Sequence, residues 1–409
     1  MNVLHINQSD IYGGAAIAGY RLHQGLLAQG IDSHLLVGKA LTSSQRVATV
    51  PRWVHIETQL FRLGWLLGLN YLNHISTFTI PKHPFFKKAD ILHFHNLHTG
   101  YFNYMAIPWL MRAKPAVFTL RDMWSFTGHC SYTYDCDRWK IGCGKCPHRD
   151  TYPEIRVDNT RLEWKLKNWA YSRSALTVVT LSRWLADQAK ESMLGRFPIY
   201  HIANGIDTDS YRPLDREKCR SLLGIPLHKK VLMFGAYDDK SPRKGGDLLL
   251  KALQNLPHSL QGDLFLLTMG EAGEVITEAA GISTLNLGFI GSDRLKSIAY
   301  SAADLFLFPT RAEAFGQVAQ EAITCGTPVV SFNVGGVPDS VRPGITGYLA
   351  KPEDHKDFSN GVLQLLEDER LRAQMSRKCR EIAIEEYDLG QQTKRYIELY
   401  DRILNERRK

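Results

Sequence analysis

Two glutamates carry the clearest chemical signal in the sequence. Glu313 and Glu321 have seven residues between them in RAEAFGQVAQE, directly after the apolar run DLFLFPT. Phe315 and Gly316 lie at the predicted start of a helix, where the first backbone amides lack helical partners and can hold a phosphate or sugar oxygen. One carboxylate could bind sugar hydroxyls while the other, about two helical turns on, binds a ribose diol. Helical glutamates usually face solvent, but the apolar sequence on both sides argues against that interpretation here.

A pair of basic residues precedes a glycine turn. Arg243 and Lys244 lie immediately before Gly245 and Gly246 in FGAYDDKSPRKGGD, which follows a predicted strand and opens a helix. Two fixed cations at a helix N-terminus suit a diphosphate, because the helix dipole and the side chains attract the same charge. The alternative is a solvated basic turn without a ligand.

Another turn, YGGA, follows the first predicted strand. Gly13 and Gly14 would let backbone amides approach an anion at the start of the next helix. The spacing is not G-x-G-x-x-G and does not predict a dinucleotide site, so a glycine turn without a ligand stays an alternative. His95, in HFHNLH, is a further candidate, although a lone histidine at a strand end is more often structural.

Four of the seven cysteines are clustered with the spacing C-x5-C-x6-C-x2-C. The closing C-x2-C pair is typical of tetrahedral zinc, while the wide first pair departs from common zinc ribbons. We expect a structural rather than a catalytic zinc ion, because four thiolates leave no open position. Free thiols or an oxidised pair are alternatives, an iron–sulfur cluster has less support, and His129 or His148 could replace one ligand. The expected ligands are Cys130, Cys136, Cys143 and Cys146.

Length and hydrophobic patterning predict the fold class. The chain has 409 residues, too many for one ordinary core. In both halves short apolar runs such as NVLHIN, AVFTL, KKVLMFGA and TPVVSFN alternate with helical segments, as in parallel sheets with right-handed crossovers. We therefore predict an α/β protein with two doubly wound Rossmann-like domains. The predicted division is residues 1–205 with a Cys-rich insertion at 128–150, residues 206–387, and a C-terminal helix at 388–409 that packs on the first domain.

Charge is unevenly distributed along the chain. Residues 1–205 contain 23 Lys and Arg against 13 Asp and Glu, whereas the remainder contains 27 against 29. A basic first half could meet nucleic acid, an anionic membrane surface or a phosphorylated substrate, or could simply be a solvated face. The most apolar segment, Leu60 to Leu72, is too short to cross a bilayer and fits a buried or interfacial helix. The N-terminus is unlike a secretory signal, and the odd number of cysteines favours a reducing, cytoplasmic location.

Several segments, in chain order, resemble one family. EAFGQVAQE, GTPVVSFNVGGVPDSV and GYLAKPED resemble the donor half of retaining glycosyltransferases of the GT-B fold, in the large family-four group. TLSRWLAD, NGIDTDSYRP, the RKG turn and the N-terminal GGA resemble that family as well. The resemblance implies two Rossmann-like domains that face each other across a cleft, an acceptor side and a nucleotide-sugar side. It also implies sugar transfer from a nucleotide-diphosphate donor with retention of anomeric configuration.

The resemblance assigns roles to the donor-side residues. Arg243 and Lys244 would neutralise the leaving diphosphate. Stabilising the charge of the leaving group would then be the main contribution to catalysis. Glu313 and the amides at the helix start would hold the phosphate and the sugar hydroxyls, and Glu321 would bind the ribose. The donor phosphate itself could take the acceptor proton, so no protein base is assigned. Two further residues are expected to face the base with their backbone: Phe289 and Ile290.

The sequence departs from the family pattern at two positions. Many members carry an arginine where this chain has Ala236, and often a histidine where it has Arg121, in TLRDMW. Arg121 could still donate to a sugar or phosphate, but it cannot act as a base at neutral pH. His95 is a nearby candidate for substrate contact, and Asp122 could orient a substrate hydroxyl or cap a turn.

The favoured function is a retaining glycosyltransferase of surface polysaccharide or glycolipid biosynthesis. Its partners would be a nucleotide sugar and a glycan, glycolipid or polyprenyl-linked acceptor, with no catalytic metal and a possible peripheral contact with the inner face of an anionic membrane. An epimerase or phosphorylase would share the fold, but epimerases of this architecture lack the paired glutamates. A catalytically weak relative that only binds the nucleotide sugar is another alternative. A zinc-containing nucleic-acid binder would not explain two doubly wound domains, so we expect no nucleic-acid partner.

Overall fold

The computed structural model describes residues 1–235, 241–270 and 281–408. The chain divides into two compact units, Met1–Gly205 with Leu389–Lys409, and Ile206–Asp388. Each unit contains a parallel sheet whose strands alternate with helices. The predicted α/β architecture with two Rossmann-like domains is confirmed. Within the described residues, no helix combines the length and the hydropathy that a membrane-crossing segment requires.

The sheet of the first unit contains seven described strands, all parallel to their neighbours. They are β1 (Asn2–Ser9), β2 (Asp32–Lys39), β3 (Val47–Thr49), β4 (Ile91–Phe94), β5 (Ala116–Leu120), β6 (Leu176–Thr180) and β7 (Ile199–His201). Their order across the sheet is β3-β2-β1-β4-β5-β6-β7. The sequence did not predict β3, because this three-residue edge strand is only half-buried and has no apolar run. The order reverses between β1 and β4, which is where ligands bind in doubly wound sheets.

Six helices of the first unit precede residue 205. They are α1 (Gly14–Ala28), α2 (Val54–Leu66), α3 (Pro84–Lys88), α4 (Ile107–Ala113), α5 (Thr160–Ser172) and α6 (Arg183–Glu191). The apolar segment Leu60 to Leu72 was expected to form a buried or interfacial helix. The helix instead spans Val54–Leu66, and most of its side chains are exposed to solvent.

The second unit has the same plan. Its described strands are β8 (Lys230–Gly235), β9 (Leu264–Met269), β10 (Ser283–Asn286), β11 (Leu305–Phe308), β12 (Val329–Phe332) and β13 (Gly347–Ala350), in the order β10-β9-β8-β11-β12-β13. Its described helices are α7 (Arg216–Leu222), α8 (Gly246–Gln254), α9 (His258–Gln261), α10 (Asp293–Ala302), α11 (Gln317–Thr324), α12 (His355–Glu367) and α13 (Glu369–Tyr387). Short 3-10 helices span Ile75–Lys82, Tyr104–Ala106, Trp124–Phe126, Arg138–Lys140, Met193–Arg196, Pro242–Lys244 and Val337–Asp339.

The last helix, α14 (Leu389–Arg408), belongs to the first unit. Its Tyr396 and Tyr400 are fully buried in a core that they share with residues of α1 and of the sheet. The Tyr400 hydroxyl lies 2.6 Å from His93 Nδ1, and the Tyr396 hydroxyl lies 2.9 Å from Thr119 Oγ1. These hydrogen bonds satisfy polar groups that would otherwise be buried without partners.

Candidate functional site

The strand order of the second unit reverses between β8 and β11, so the loops after these two strands start side by side. The loop after β8 ends in the 3-10 helix Pro242–Lys244 and the start of α8. The loop after β11 ends at the start of α11. The predicted basic pair and the first predicted glutamate lie on these two loops. Ala236, where the family often has arginine, falls outside the described residues.

Glu313 binds both predicted cations. Its Oε2 lies 3.1 Å from Arg243 Nη1 and 3.2 Å from Lys244 Nζ. Burial alone would raise the pKa of Glu313, but the charges and hydrogen bonds of Lys244 and Arg243 lower it to about 2. The carboxylate is therefore ionised at neutral pH. Two positive charges and one negative charge leave this cluster attractive to an anion.

The two loops hold each other in place. The Arg243 carbonyl accepts hydrogen bonds from the Arg311 amide at 2.8 Å and from Thr310 Oγ1 at 3.1 Å. Gly245 has a φ of 71°, and a Cβ added there would stand 1.8 Å from the Pro309 carbonyl oxygen. Only glycine fits at this position, because a side chain would push the loops apart. The cations are thus positioned by backbone contacts as well as by Glu313.

The start of α11 forms the next part of the site. Gly316 caps the helix with a φ of 89°, and a Cβ added there would lie 2.8 Å from the Phe308 ring. The Phe315 ring is buried and packs edge-on against Tyr387 with the ring centres 5.8 Å apart. The first amides of a helix lack intrahelical acceptors and face the positive end of its dipole. This helix start can therefore bind a phosphate or sugar oxygen.

Three other donor-side residues were predicted: Glu321, Phe289 and Ile290. Glu321 is buried on α11 and accepts a hydrogen bond from the Tyr300 hydroxyl at 3.2 Å, so it is not a solvent-facing glutamate. Phe289, which is 69% exposed, and Ile290 lie in the loop after β10. Glu313 therefore contacts the cations directly, whereas Glu321 is hydrogen-bonded to Tyr300.

In the first unit, the predicted glycine turn lies at the corresponding reversal of strand order. Gly13 has a φ of 83° and caps α1, whose first residue is Gly14. The turn follows β1, and β4 is the neighbour of β1 across the reversal. Its position is therefore the one at which a doubly wound sheet binds ligands.

Arg121 and His95 are brought together, and they bind each other. Arg121 Nη2 lies 3.0 Å from His95 Nδ1, and Arg121 Nη1 donates to Asn204 Oδ1 at 2.6 Å. His95 Nε2 lies 2.9 Å from His5 Nδ1. Burial lowers the pKa of Arg121 to about 10 and holds the pKa of His95 well below its usual range. At neutral pH a charged guanidinium and neutral imidazoles therefore form a buried network, and a substrate role for either residue stays a prediction.

Among the described residues, one group of His, Cys, Asp or Glu brings three possible ligand atoms within 4.8 Å of one another: His5, His93 and His95. This group fits a cation poorly. Both ring nitrogens of His93 are hydrogen-bonded, to the hydroxyls of Tyr400 and Thr119, and the Arg121 charge lies beside His95. The described contacts therefore do not favour a metal ion at this group.

The clustered cysteines are free thiols. Cys143 Sγ accepts a hydrogen bond from the Gly128 amide at 3.2 Å, and Cys146 Sγ lies 3.2 Å from His129 Nε2. His129 Nδ1 lies 2.8 Å from the Pro153 carbonyl, an arrangement that orients histidine ligands in metal sites. However, tetrahedral zinc places its sulfur ligands about 3.8 Å apart, and no three of these described groups lie within 4.8 Å of one another. The residues therefore do not fit a formed zinc site at their present positions.

A histidine–aspartate pair was not predicted. His98 Nε2 lies 2.8 Å from Asp122 Oδ2, and His98 Nδ1 lies 3.5 Å from the Tyr152 hydroxyl. In such a pair the carboxylate orients the ring, and the other nitrogen can accept a proton from a hydroxyl. The signal is present in the sequence, because HNLH and RDMW follow the neighbouring strands β4 and β5, but the predicted candidate was His95.

Comparison with known proteins agrees with this geometry. The sequence model described as glycosyl transferases group 1 matches residues 216–382, and the one described as glycosyltransferase family 4 matches residues 12–210. A relative from Escherichia coli K12, the putative colanic acid biosynthesis glycosyl transferase WcaC, is 30% identical over 355 residues, which cover 81% of this chain and 83% of that protein.

Solved structures agree in fold. Sucrose-phosphate synthase from Thermosynechococcus elongatus aligns with a TM-score of 0.73 at 18% identity, covering 99% of this chain and 100% of the other. HepE from Anabaena, solved in complex with UDP-glucose, aligns with a TM-score of 0.67 at 19% identity, covering 98% and 99%. With two sequence models that together span most of the chain and a relative matched over most of its length, the chain belongs to the family-four group of glycosyltransferases.

Proposed function

We propose that this glycosyltransferase takes a sugar from a nucleotide-diphosphate donor held by the second unit and transfers it with retention of anomeric configuration. The observation that carries the proposal is the cluster of Arg243, Lys244 and Glu313 beside the start of α11. Fixed cations and helix amides suit a diphosphate, and a carboxylate next to them suits sugar hydroxyls. The HepE complex with UDP-glucose supports a nucleotide-sugar donor, with UDP-sugars as the first to test.

In the proposed reaction, the bond between the anomeric carbon and the diphosphate oxygen breaks, and its electron pair leaves with the diphosphate. Arg243 and Lys244 stabilise the developing negative charge. The acceptor hydroxyl forms the new bond on the same face, and its proton passes to an oxygen of the departing phosphate. Glu313 orients the donor sugar through its hydroxyls. The chain then needs neither a protein base nor a catalytic metal for the transfer.

Other residues complete the proposed donor site. The amides of Phe315 and Gly316 hold phosphate or sugar oxygens, and Glu321 binds the ribose. The backbone at Phe289 and Ile290 faces the base. In the first unit, four residues are proposed to contact substrate or to position groups that do: Gly13, Gly14, Arg121 and His95.

The proposed acceptor is a glycan, a glycolipid or a polyprenyl-linked sugar in surface polysaccharide biosynthesis. The name of the Escherichia coli relative, which refers to colanic acid, supports this class. The first unit contains 29 Lys and Arg against 16 Asp and Glu, a charge that suits a phosphate-bearing acceptor.

A panel of nucleotide sugars tests the function. We expect at least one, with UDP-sugars measured first, to raise the melting temperature, because a ligand that binds only the folded state stabilises it. The enzyme should then slowly hydrolyse the best binder or transfer its sugar. Proton NMR of the first product should show the same anomeric configuration as in the donor. If none raises the melting temperature, the proposal is wrong. Protection without any turnover would instead identify a relative that only binds, and an inverted product would refute retention.

We also propose that the cysteine cluster closes on a structural zinc ion when the metal is supplied. The support is His129, whose Nε2 points at Cys146 while its Nδ1 is held by a backbone carbonyl. Protein purified with zinc should contain one equivalent by elemental analysis, and Cys143→Ser should lose the metal and lower the melting temperature. Cys219→Ser, outside the cluster, is the matched control. A metal-free protein with unchanged activity would exclude this role.

A further inference from the structure

Helix α2 turns a charged residue into the protein and leaves its apolar side chains exposed to solvent. Its one buried side chain is Glu57, a carboxylate. Eight large apolar side chains on the helix and at its two ends are 44–59% exposed. So many exposed apolar groups on one element of a folded protein indicate an interaction surface. We call this set the α2 apolar face: Trp53, Val54, Ile56, Phe61, Leu63, Trp65, Leu66 and Leu67.

Polar contacts at both ends of α2 hold this face outward. The Glu57 carboxylate accepts hydrogen bonds from the Ser76 amide at 3.0 Å and from Arg52 Nε at 2.7 Å. After the helix, Asn159 Nδ2 donates to the carbonyl of Leu67. The helix is therefore attached through its charged residue, and turning the apolar side chains inward would break these bonds and leave the buried Ser76 amide without its acceptor.

The exposed charges on α2 and over its Trp65 ring are arginines. Glu57 is the only acidic residue between positions 51 and 81, and it is buried and paired. Arg62 is exposed in the middle of α2, and the Arg156 guanidinium lies over the Trp65 ring, 4.9 Å from its centre. The face thus combines tryptophans, aliphatic side chains and arginines with no exposed carboxylate on the helix. This combination is typical of helices that lie in the interface of an anionic bilayer.

We propose that the α2 apolar face docks the first unit on an anionic lipid bilayer. The 13 residues of α2 are fewer than the ~20 needed to cross a bilayer, so the helix lies along the surface. Its apolar side chains enter the boundary between headgroups and acyl chains, while Arg62 and Arg156 meet lipid phosphates. Docking would bring the enzyme to a lipid-linked acceptor. Only this consequence of docking rests on the proposed function.

Vesicle flotation without any nucleotide sugar tests the proposal. We expect the full chain to bind vesicles of phosphatidylcholine with phosphatidylglycerol at low salt, and to bind pure phosphatidylcholine more weakly. Two double variants probe the two sides of the helix, Phe61→Ser with Trp65→Ser and Ile56→Ser with Leu63→Ser. At least one should weaken binding about tenfold or more, because each removes two side chains that would enter the bilayer. Leu222→Ser, the same kind of apolar-to-serine change at one exposed leucine of the second unit, should bind normally.

Arg62→Glu keeps the test informative if a double variant fails to fold. It leaves the apolar side chains in place and should weaken binding to the anionic vesicles selectively. The proposal is wrong if the wild type binds no vesicles, or if all these variants bind like the wild type. Self-association that the variants abolish, without lipid binding, would identify the face as a contact between copies and would also overturn it. A chain that binds vesicles but no nucleotide sugar would refute the transferase function and leave the docking surface intact.

Discussion

Lys244→Ala should lower kcat for sugar transfer by about 10²–10³-fold, the usual effect of removing one charge-stabilising group from a transition state. The same change should weaken binding of the free nucleoside diphosphate, because one of the two cations beside the start of α11 is lost. Arg243 would remain opposite Glu313, so the described cluster of these three residues would change from a net positive charge to neutral. Initial rates with saturating donor and calorimetric titration with the nucleoside diphosphate measure the two effects.

Lys251→Ala is the matched control. Lys251 lies on the same helix, α8, but is exposed near its end. The Lys251→Ala variant should keep both the nucleotide affinity and kcat within about twofold of the wild type, because an exposed charge contributes little to either. A Lys244→Ala enzyme with normal kcat would mean that leaving-group stabilisation does not come from this residue, and the assigned mechanism would be wrong.

Glu313→Gln should lower turnover without weakening nucleotide binding, unlike Lys244→Ala, which should lower both. Removing the carboxylate takes away the negative charge that Arg243 and Lys244 both bind, so the nucleoside diphosphate should bind as well as before or more tightly. Turnover should still fall by about 10²-fold, because the sugar loses the group that orients its hydroxyls. An equal loss of affinity and rate would contradict the role assigned to Glu313.

The same variant should change how stability depends on pH. The folded-state pKa of Glu313 is lowered to about 2, so its ionised form stabilises the fold above about pH 4.5, and this contribution disappears as the pH falls towards 2. The shift corresponds to about 3 kcal/mol. In urea titrations, Glu313→Gln should lack this part of the acid sensitivity, whereas Glu367→Gln, at an exposed position, should retain it.

Local patterns in the sequence were sufficient for the fold but not for all of the site. Buried strands of parallel sheets are continuous apolar runs, so β1, β5, β8 and β12 could be located directly. The contact of Glu313 with Arg243 and Lys244 joins residues about 70 positions apart. Strand order brings their loops together, yet no local pattern specifies that one carboxylate oxygen binds both cations.

Two differences between sequence and structure have physical causes. The pair of His98 with Asp122 was not predicted, whereas His95, the predicted candidate, lies directly at the end of β4 and is held in the interior by Arg121. The apolar segment around α2 was expected to form a buried or interfacial helix, and apolar periodicity alone could not show that its side chains are exposed while Glu57 takes the inward position.

The placement of α14 makes the second unit an insertion within the first. Residues 206–388 are translated as one continuous block, so this unit can fold as soon as it has left the ribosome. The first unit begins earlier but remains incomplete until α14 has been translated, since Tyr396 and Tyr400 provide part of its core. The domain that is synthesised first is therefore the last to finish folding, and a chain truncated shortly after residue 388 would expose the buried histidines of its sheet to water.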